Sequence, residues 1–140
     1  MAGQKKIMQK EEMKVLVVDD FELPRRLIRT MLNDLGYENH ENILEAVDGV
    51  DALNVLQCNK VDLIICDWVM PNMSGIELLK TVRQDAKLTK IPFIMVTAEA
   101  EKDKIMDAIK SGVSQYIVKP FTADALYKKI EVVMNKPRCH

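Results

Sequence analysis

Val15-Leu16-Val17-Val18-Asp19-Asp20 carries four apolar residues, three of them β-branched, directly into two carboxylates. No polar residue alternates with the apolar ones, so the run predicts a short strand covered on both faces. Three further runs repeat the pattern: Leu63-Ile64-Ile65-Cys66 ends at Asp67, Phe93-Ile94-Met95-Val96 at Thr97, and Tyr116-Ile117-Val118 at Lys119. Each also reads as a strand buried on both faces. Carboxylates at the ends of buried strands are costly unless a cation compensates them. Three aspartates brought together repel one another, which points to a bound divalent metal with Lys119 as a second positive charge nearby.

Between these runs lie segments of helical period. Leu27, Ile28, Met31, Leu32 and Leu35 form one apolar stripe, and Ala52, Leu53, Val55 and Leu56 another. Pro24 suits the first turn of the first helix, Asp48 or Gly49 opens the second, and Gly36 and Gly112 are placed to close the first and fourth. A third helix is expected from about Gly75 to Asp85, with Leu78, Leu79 and Val82 inward, and a fifth carries Leu126, Ile130 and Val133. The order is βαβαβαβαβα. Such alternation specifies an α/β fold, a doubly wound five-stranded parallel sheet with helices on both sides. Right-handed crossovers then place every strand's carboxyl end along one edge, where the ligand crevice falls. Asp20, Asp67, Thr97 and Lys119, scattered over a hundred positions, all land there.

The 140 residues predict one domain, here taken as 14–136. Residues 1–13 are expected to be a loose, solvated lead-in and 137–140 a frayed tail, with no second domain. Twenty Lys and Arg nearly balance twenty-one Asp and Glu for a net charge of -1, which gives no electrostatic case for nucleic acid or an anionic membrane. No stretch suits a secretory signal or a membrane span. Cys58, Cys66 and Cys139 are odd in number and lack metal-ligand spacing, so reduced thiols and a cytoplasmic location are expected. His40 and His140 are isolated and read as surface histidines. Met70, Met73, Met95, Met106 and Met134 read as core or edge filler. The charged run Glu99–Lys104 is expected to solvate the fourth helix.

Four stretches carry a family resemblance: Val17-Val18-Asp19-Asp20-Phe21, Asp67-Trp68-Val69-Met70-Pro71-Asn72-Met73-Ser74-Gly75, Val96-Thr97-Ala98-Glu99-Ala100 and Val118-Lys119-Pro120-Phe121-Thr122-Ala123. In this order they resemble response-regulator receiver domains, above all the single-domain chemotaxis regulators, over nearly the whole chain. The resemblance implies the flavodoxin-like strand order 2-1-3-4-5. It implies that Asp67 is the phosphoacceptor, a carboxylate nucleophile that becomes an aspartyl phosphate. Asp20 and Asp67 would ligate Mg²⁺ directly, Asp19 mainly through water, and Val69 through its backbone carbonyl. Lys119, Thr97 and backbone amides near Trp68 and Ala98 would bind the phosphoryl oxygens, and the Lys119-Pro120 peptide would be cis. Thr97 and Tyr116 would report phosphorylation to a partner face that includes Ile105 and Lys129.

The implied function is that of a stand-alone, monomeric regulator rather than an enzyme acting on external substrates. A chemotaxis-type histidine kinase would donate phosphate, a flagellar motor switch protein would be the target, and a phosphatase could assist slow self-hydrolysis. A phosphorelay intermediate or another single-domain receiver is the alternative. Two residues beyond the acceptor the chemotaxis regulators carry Asn; this chain has Val69, which predicts an altered phosphoryl lifetime. Val69 also argues against a dehalogenase-type aspartyl-phosphate phosphatase, which needs a general acid at that position. A flavin-binding module would need a hydroxyl- and glycine-rich loop where Phe21-Glu22-Leu23-Pro24 stands. Taken singly, Asp19-Asp20 would be a turn and cap, Thr97 a helix cap and Lys119 a solvated loop lysine. Their common position at strand ends outweighs those readings.

Overall fold

A computed structural model describes residues 12–37, 42–98 and 102–135. Most of the expected lead-in, His40, Glu99, Ala100, Glu101, the terminal tail, Cys139 and His140 lie outside the described residues. Among the described residues the order is β1 (Val15–Val18), α1 (Glu22–Asp34), β2 (Ile43–Ala46), α2 (Gly49–Cys58), β3 (Leu63–Asp67), α3 (Gly75–Gln84), β4 (Phe93–Thr97), α4 (Lys102–Lys110), β5 (Gln115–Val118) and α5 (Ala123–Asn135). The sheet is parallel throughout and runs β2-β1-β3-β4-β5.

Successive strand residues face opposite layers, and here both layers are apolar. Val15, Val17, Ile65, Ile94 and Val96 share a core with Ile28 and Leu32 of α1 and Leu126, Ile130 and Val133 of α5. Leu16, Val18, Ile64, Cys66, Phe93 and Met95 pack with Ala52 and Leu56 of α2 and Leu78, Leu79 and Val82 of α3. Strand ends thereby line up, and the direction of winding reverses between β1 and β3, beside Asp19, Asp20 and Asp67. Gly36 and Gly112 close α1 and α4 at φ 100° and 94°, a left-handed conformation that side chains with a Cβ resist.

Three sequence expectations are corrected. Met13, assigned to the solvated lead-in, is 5 % exposed and packs in the α1/α5 core with Val15 and Val17, just ahead of β1. The β5 run is not buried on both faces: Ile117 is buried while Gln115, Tyr116 and Val118 are half-buried, as suits an edge strand with one neighbour. Leu27 is 52 % exposed, since at helical spacing it falls at the margin of the stripe centred on Ile28 and Leu32. Polar groups occupy the outer edges: Arg25 and Arg29 pair with Glu45 of β2, and Lys129 Nζ donates to Gln115 Oε1 of β5 at 3.1 Å. Charged edge positions discourage pairing with a further strand.

Two polar devices fix the connections. Arg83, on α3, donates from Nε to the Gly112 carbonyl (2.8 Å) and from Nη1 to the Thr89 (3.1 Å) and Ile91 (2.7 Å) carbonyls; Nη2 reaches Ser114 Oγ at 3.4 Å. Ser114 Oγ also accepts from the Phe93 amide at 2.9 Å. The loops leading into β4 and β5 are thus joined through one guanidinium. At the other end of the sheet, Asp48 caps α2, with Oδ1 accepting from the Asp51 amide at 2.8 Å and Oδ2 from Asn72 Nδ2 at 2.7 Å. These hydrogen bonds, the Asp51 amide first, hold the Asp48 carboxyl below its ordinary pKa.

Asp48→Ala is expected to cost about 1 kcal/mol, the usual value of an N-cap, in urea unfolding at pH 7. Because the folded-state pKa is lowered, the Asp48 contribution is complete above about pH 4, the unfolded carboxyl range, and fades as pH falls through the lower folded value. The stability difference between wild type and variant should therefore narrow under acid.

Candidate functional site

The site lies where β1, β3, β4 and β5 end. Asp19 follows β1; its Oδ1 accepts from the Phe21 amide at 3.0 Å and its backbone carbonyl accepts from Arg25 Nη1 at 2.7 Å. Asp67 is the last residue of β3, with Oδ1 2.7 Å from Lys119 Nζ and Oδ2 accepting from the Val69 amide at 3.2 Å. Lys119 Nζ also lies 3.7 Å from Asp19 Oδ2, so one ammonium bridges two carboxylates. The Lys119 amide donates to the Thr97 carbonyl at 2.8 Å, which joins the ends of β4 and β5, and the Lys119-Pro120 peptide is cis. Thr97 is buried at the end of β4. Asp67, Trp68, Val69, Thr97, Ala98, Lys104 and Lys119 line a cavity of about 150 Å³.

Asp19, Asp20 and Asp67 can each offer a carboxylate oxygen within 4.8 Å of the others. Burial raises the Asp19 pKa, with the Asp67 and Asp20 charges adding to it, while the Phe21 amide and Lys119 oppose the rise. Asp20 Oδ1 is buried with no hydrogen-bond partner. Such an atom is destabilising unless something positive completes it. An oxygen-rich, anionic set with an unsatisfied acceptor fits a hard divalent cation. Beneath it, Cys66 is fully enclosed, and burial first, then the Asp67 and Asp19 charges, push its thiol well above the ordinary range, which leaves it a packing group.

Residues 15–131 match the response regulator receiver domain. The chain belongs to this family. It is 48% identical over 124 residues to Chemotaxis protein CheY of Pseudomonas aeruginosa, covering 89% of this chain and 98% of that relative. It is 44% identical over 126 residues to Chemotaxis protein CheY-3 of Vibrio cholerae, covering 90% and 95%. Among solved structures, the chemotaxis protein CheY4 of Vibrio cholerae aligns with a TM-score of 0.79 at 35% identity, over 86% of this chain and 98% of that one. The receiver domain of a sensor histidine kinase from Pseudomonas aeruginosa, with a magnesium ion coordinated in its active-site cleft, has the same fold at 23% identity and a TM-score of 0.78, over 89% of this chain and 98% of that one. The receiver fold, expected from the strand ends, is thus established by topology and by relatives alike.

In this receiver the aspartates, Thr97 and Lys119 meet at one edge, as the strand order requires. Tyr116 lies on β5 opposite Met95, while Thr97 is opposite Val118, two positions further along the same pair of strands. Lys129 Nζ stands 5.4 Å from the Tyr116 ring centroid, so these two residues meet; Ile105 is half-buried on α4. Of the amides near Trp68, the structure distinguishes two. The Trp68 amide is already committed to the Val96 carbonyl at 2.9 Å, and the amide that reaches Asp67 is that of Val69. Lys104 is a residue that sequence reasoning missed: grouped with a solvating run, it is half-buried and lines the cavity. The available signal was spacing, because Lys104 precedes the buried Ala108 by four residues and so shares its helix face.

Gly75 packs against the backbone around Asp67 with no room for a side chain. A Cβ there would fall within contact distance of the Asp67 carbonyl oxygen, and only 2.9 Å from Met95 Sδ and 3.0 Å from Trp68 Cα. Gly75→Ala is expected to destabilise the fold by about 1–3 kcal/mol, the usual range for overpacking a core, as measured by urea unfolding. An unchanged midpoint would show that the loop after β3 yields freely.

Proposed function

We propose that this chain is a stand-alone cytoplasmic response regulator, with its receiver unit at 14–136, that accepts a phosphoryl group on Asp67 and thereby switches partner binding. A chemotaxis-type histidine kinase is the proposed donor and a flagellar motor switch protein the proposed target, with a phosphatase as a further partner. The carrying observation is the Asp67 carboxylate held between the Lys119 ammonium and the Val69 amide, beside an acidic cluster with an unsatisfied oxygen. High identity to chemotaxis proteins over most of the chain supports the output.

In the proposed reaction an Asp67 carboxylate oxygen bonds to phosphorus as the bond from phosphorus to the donor breaks, and the donor leaves with that electron pair. Asp19, Asp20, Asp67 and the Val69 carbonyl would hold Mg²⁺, which supplies positive charge to the phosphoryl oxygens when bound. Lys119 contributes an ammonium 2.7 Å from Asp67 Oδ1, already positioned before the donor arrives. Thr97 presents its hydroxyl from the end of β4, next to the strand that carries Tyr116, and movement of this pair would alter the face formed by Ile105, Tyr116 and Lys129. Val69 is 71 % exposed and stands at the mouth of the site. A β-branched apolar group there affects how hydrolytic water, or the side chain of a phosphatase, approaches the acyl phosphate.

Incubation with a small phosphodonor and Mg²⁺ should add the mass of one phosphoryl group and change the fluorescence of Trp68, the sole tryptophan. Asp67→Asn should abolish the mass gain; labelling of that variant at the wild-type rate would overturn the assignment. Val69→Asn should alter the rate of phosphoryl hydrolysis by at least about threefold, a difference of about 0.65 kcal/mol in barrier. Identical decay in the two proteins would remove Val69 from any role in timing.

A further inference from the structure

The cavity beside Asp67 has two lysines, and the reaction proposed above uses one. Lys119 is committed to Asp67 and Asp19 at 2.7 and 3.7 Å. Lys104 comes from the first turn of α4 and reaches the same cavity from a different element. Its position is set by the fold: Ala108, one turn later on the same face, is fully buried, so Lys104 stands on the inward side of α4, where it is half-buried and lines the cavity. Trp68, Val69 and Ala98 complete the lining with largely apolar surface. The volume of about 150 Å³ corresponds to roughly five water molecules at ~30 Å³ each, enough for a small phosphodonor.

We infer that Lys104 is a further catalytic residue of the phosphoacceptor site, contacting the leaving group of small acyl phosphate donors; this rests on Asp67 being the acceptor. As the Asp67 oxygen bonds to phosphorus, the bond from phosphorus to the acyl oxygen breaks, and the carboxylate departs with the electron pair. Negative charge therefore builds on the departing oxygen during transfer, on the side of the phosphorus away from Asp67. Lys119 is held at Asp67 itself. Lys104 supplies the cation on another wall of the same cavity, and a cation that meets charge only as it develops lowers the barrier rather than merely tightening binding. A phosphoramidate tests this distinction, because its nitrogen leaves as neutral ammonia once protonated.

The experiment compares phosphorylation rates of wild type, Lys104→Ala and Lys104→Arg with acetyl phosphate and with phosphoramidate, in Mg²⁺, reading phosphoryl incorporation by mass and folding by thermal melting. The ratio of the acetyl phosphate rate to the phosphoramidate rate should drop about tenfold in Lys104→Ala, equivalent to about 1.4 kcal/mol, and recover most of its value in Lys104→Arg. Equal losses with both donors, or no loss with either, would overturn the role of Lys104. If wild type takes phosphate from neither donor, the phosphoacceptor reading itself falls, a result distinct from any change in the ratio.

Discussion

One ammonium between two carboxylates organises this molecule. Lys119 Nζ bridges Asp67 and Asp19, which end β3 and begin the loop after β1, while Lys119 itself follows β5. These strands become neighbours of one site only in the order β2-β1-β3-β4-β5, with every strand parallel and in its observed register. The charge balance is incomplete even so: three aspartates face a single bridging lysine, and Asp20 Oδ1 has no partner. Burial prevents water from screening that imbalance fully. The architecture therefore favours a cationic occupant and an anionic reactant together, and the cavity between β3, β4 and α4 provides space for the latter.

The parts of the fold that were legible in sequence are those in which residue type and position say the same thing. Val15–Val18, Leu63–Cys66 and Phe93–Val96 are continuous apolar runs because helices cover both sheet faces, and each is fully buried. The edges were harder. Ile43–Ala46 has too little apolar length to announce itself and was implied only by the alternation of elements; its Glu45 faces outward to Arg25 and Arg29. Tyr116–Val118 has the composition of a central strand but only one neighbour, a fact of topology that local sequence does not contain.

The site divides in the same way. Aspartates and a lysine that terminate apolar strands are conspicuous because charge is unexpected there. Lys104 is not conspicuous, since it stands among other charges on an amphipathic helix and its location depends on which face α4 turns inward. The Val69 amide and the Gly75 contact were also hidden, because both depend on the path of the backbone after β3. Side-chain chemistry was legible at a distance, whereas main-chain donors and close approaches required coordinates.

Arg83 gives the edge strand an unusual mechanical status. Its guanidinium joins the loops entering β4 and β5 through carbonyls and a hydroxyl, with no carboxylate among those acceptors. Proton uptake by acidic groups therefore does not release that joint. The exit of β5 is different, since Lys119 there is held by carboxylates that the proposed chemistry would alter. β5 is accordingly built as a cantilever, clamped where it enters the sheet and loaded at its tip, with Tyr116 on the span between.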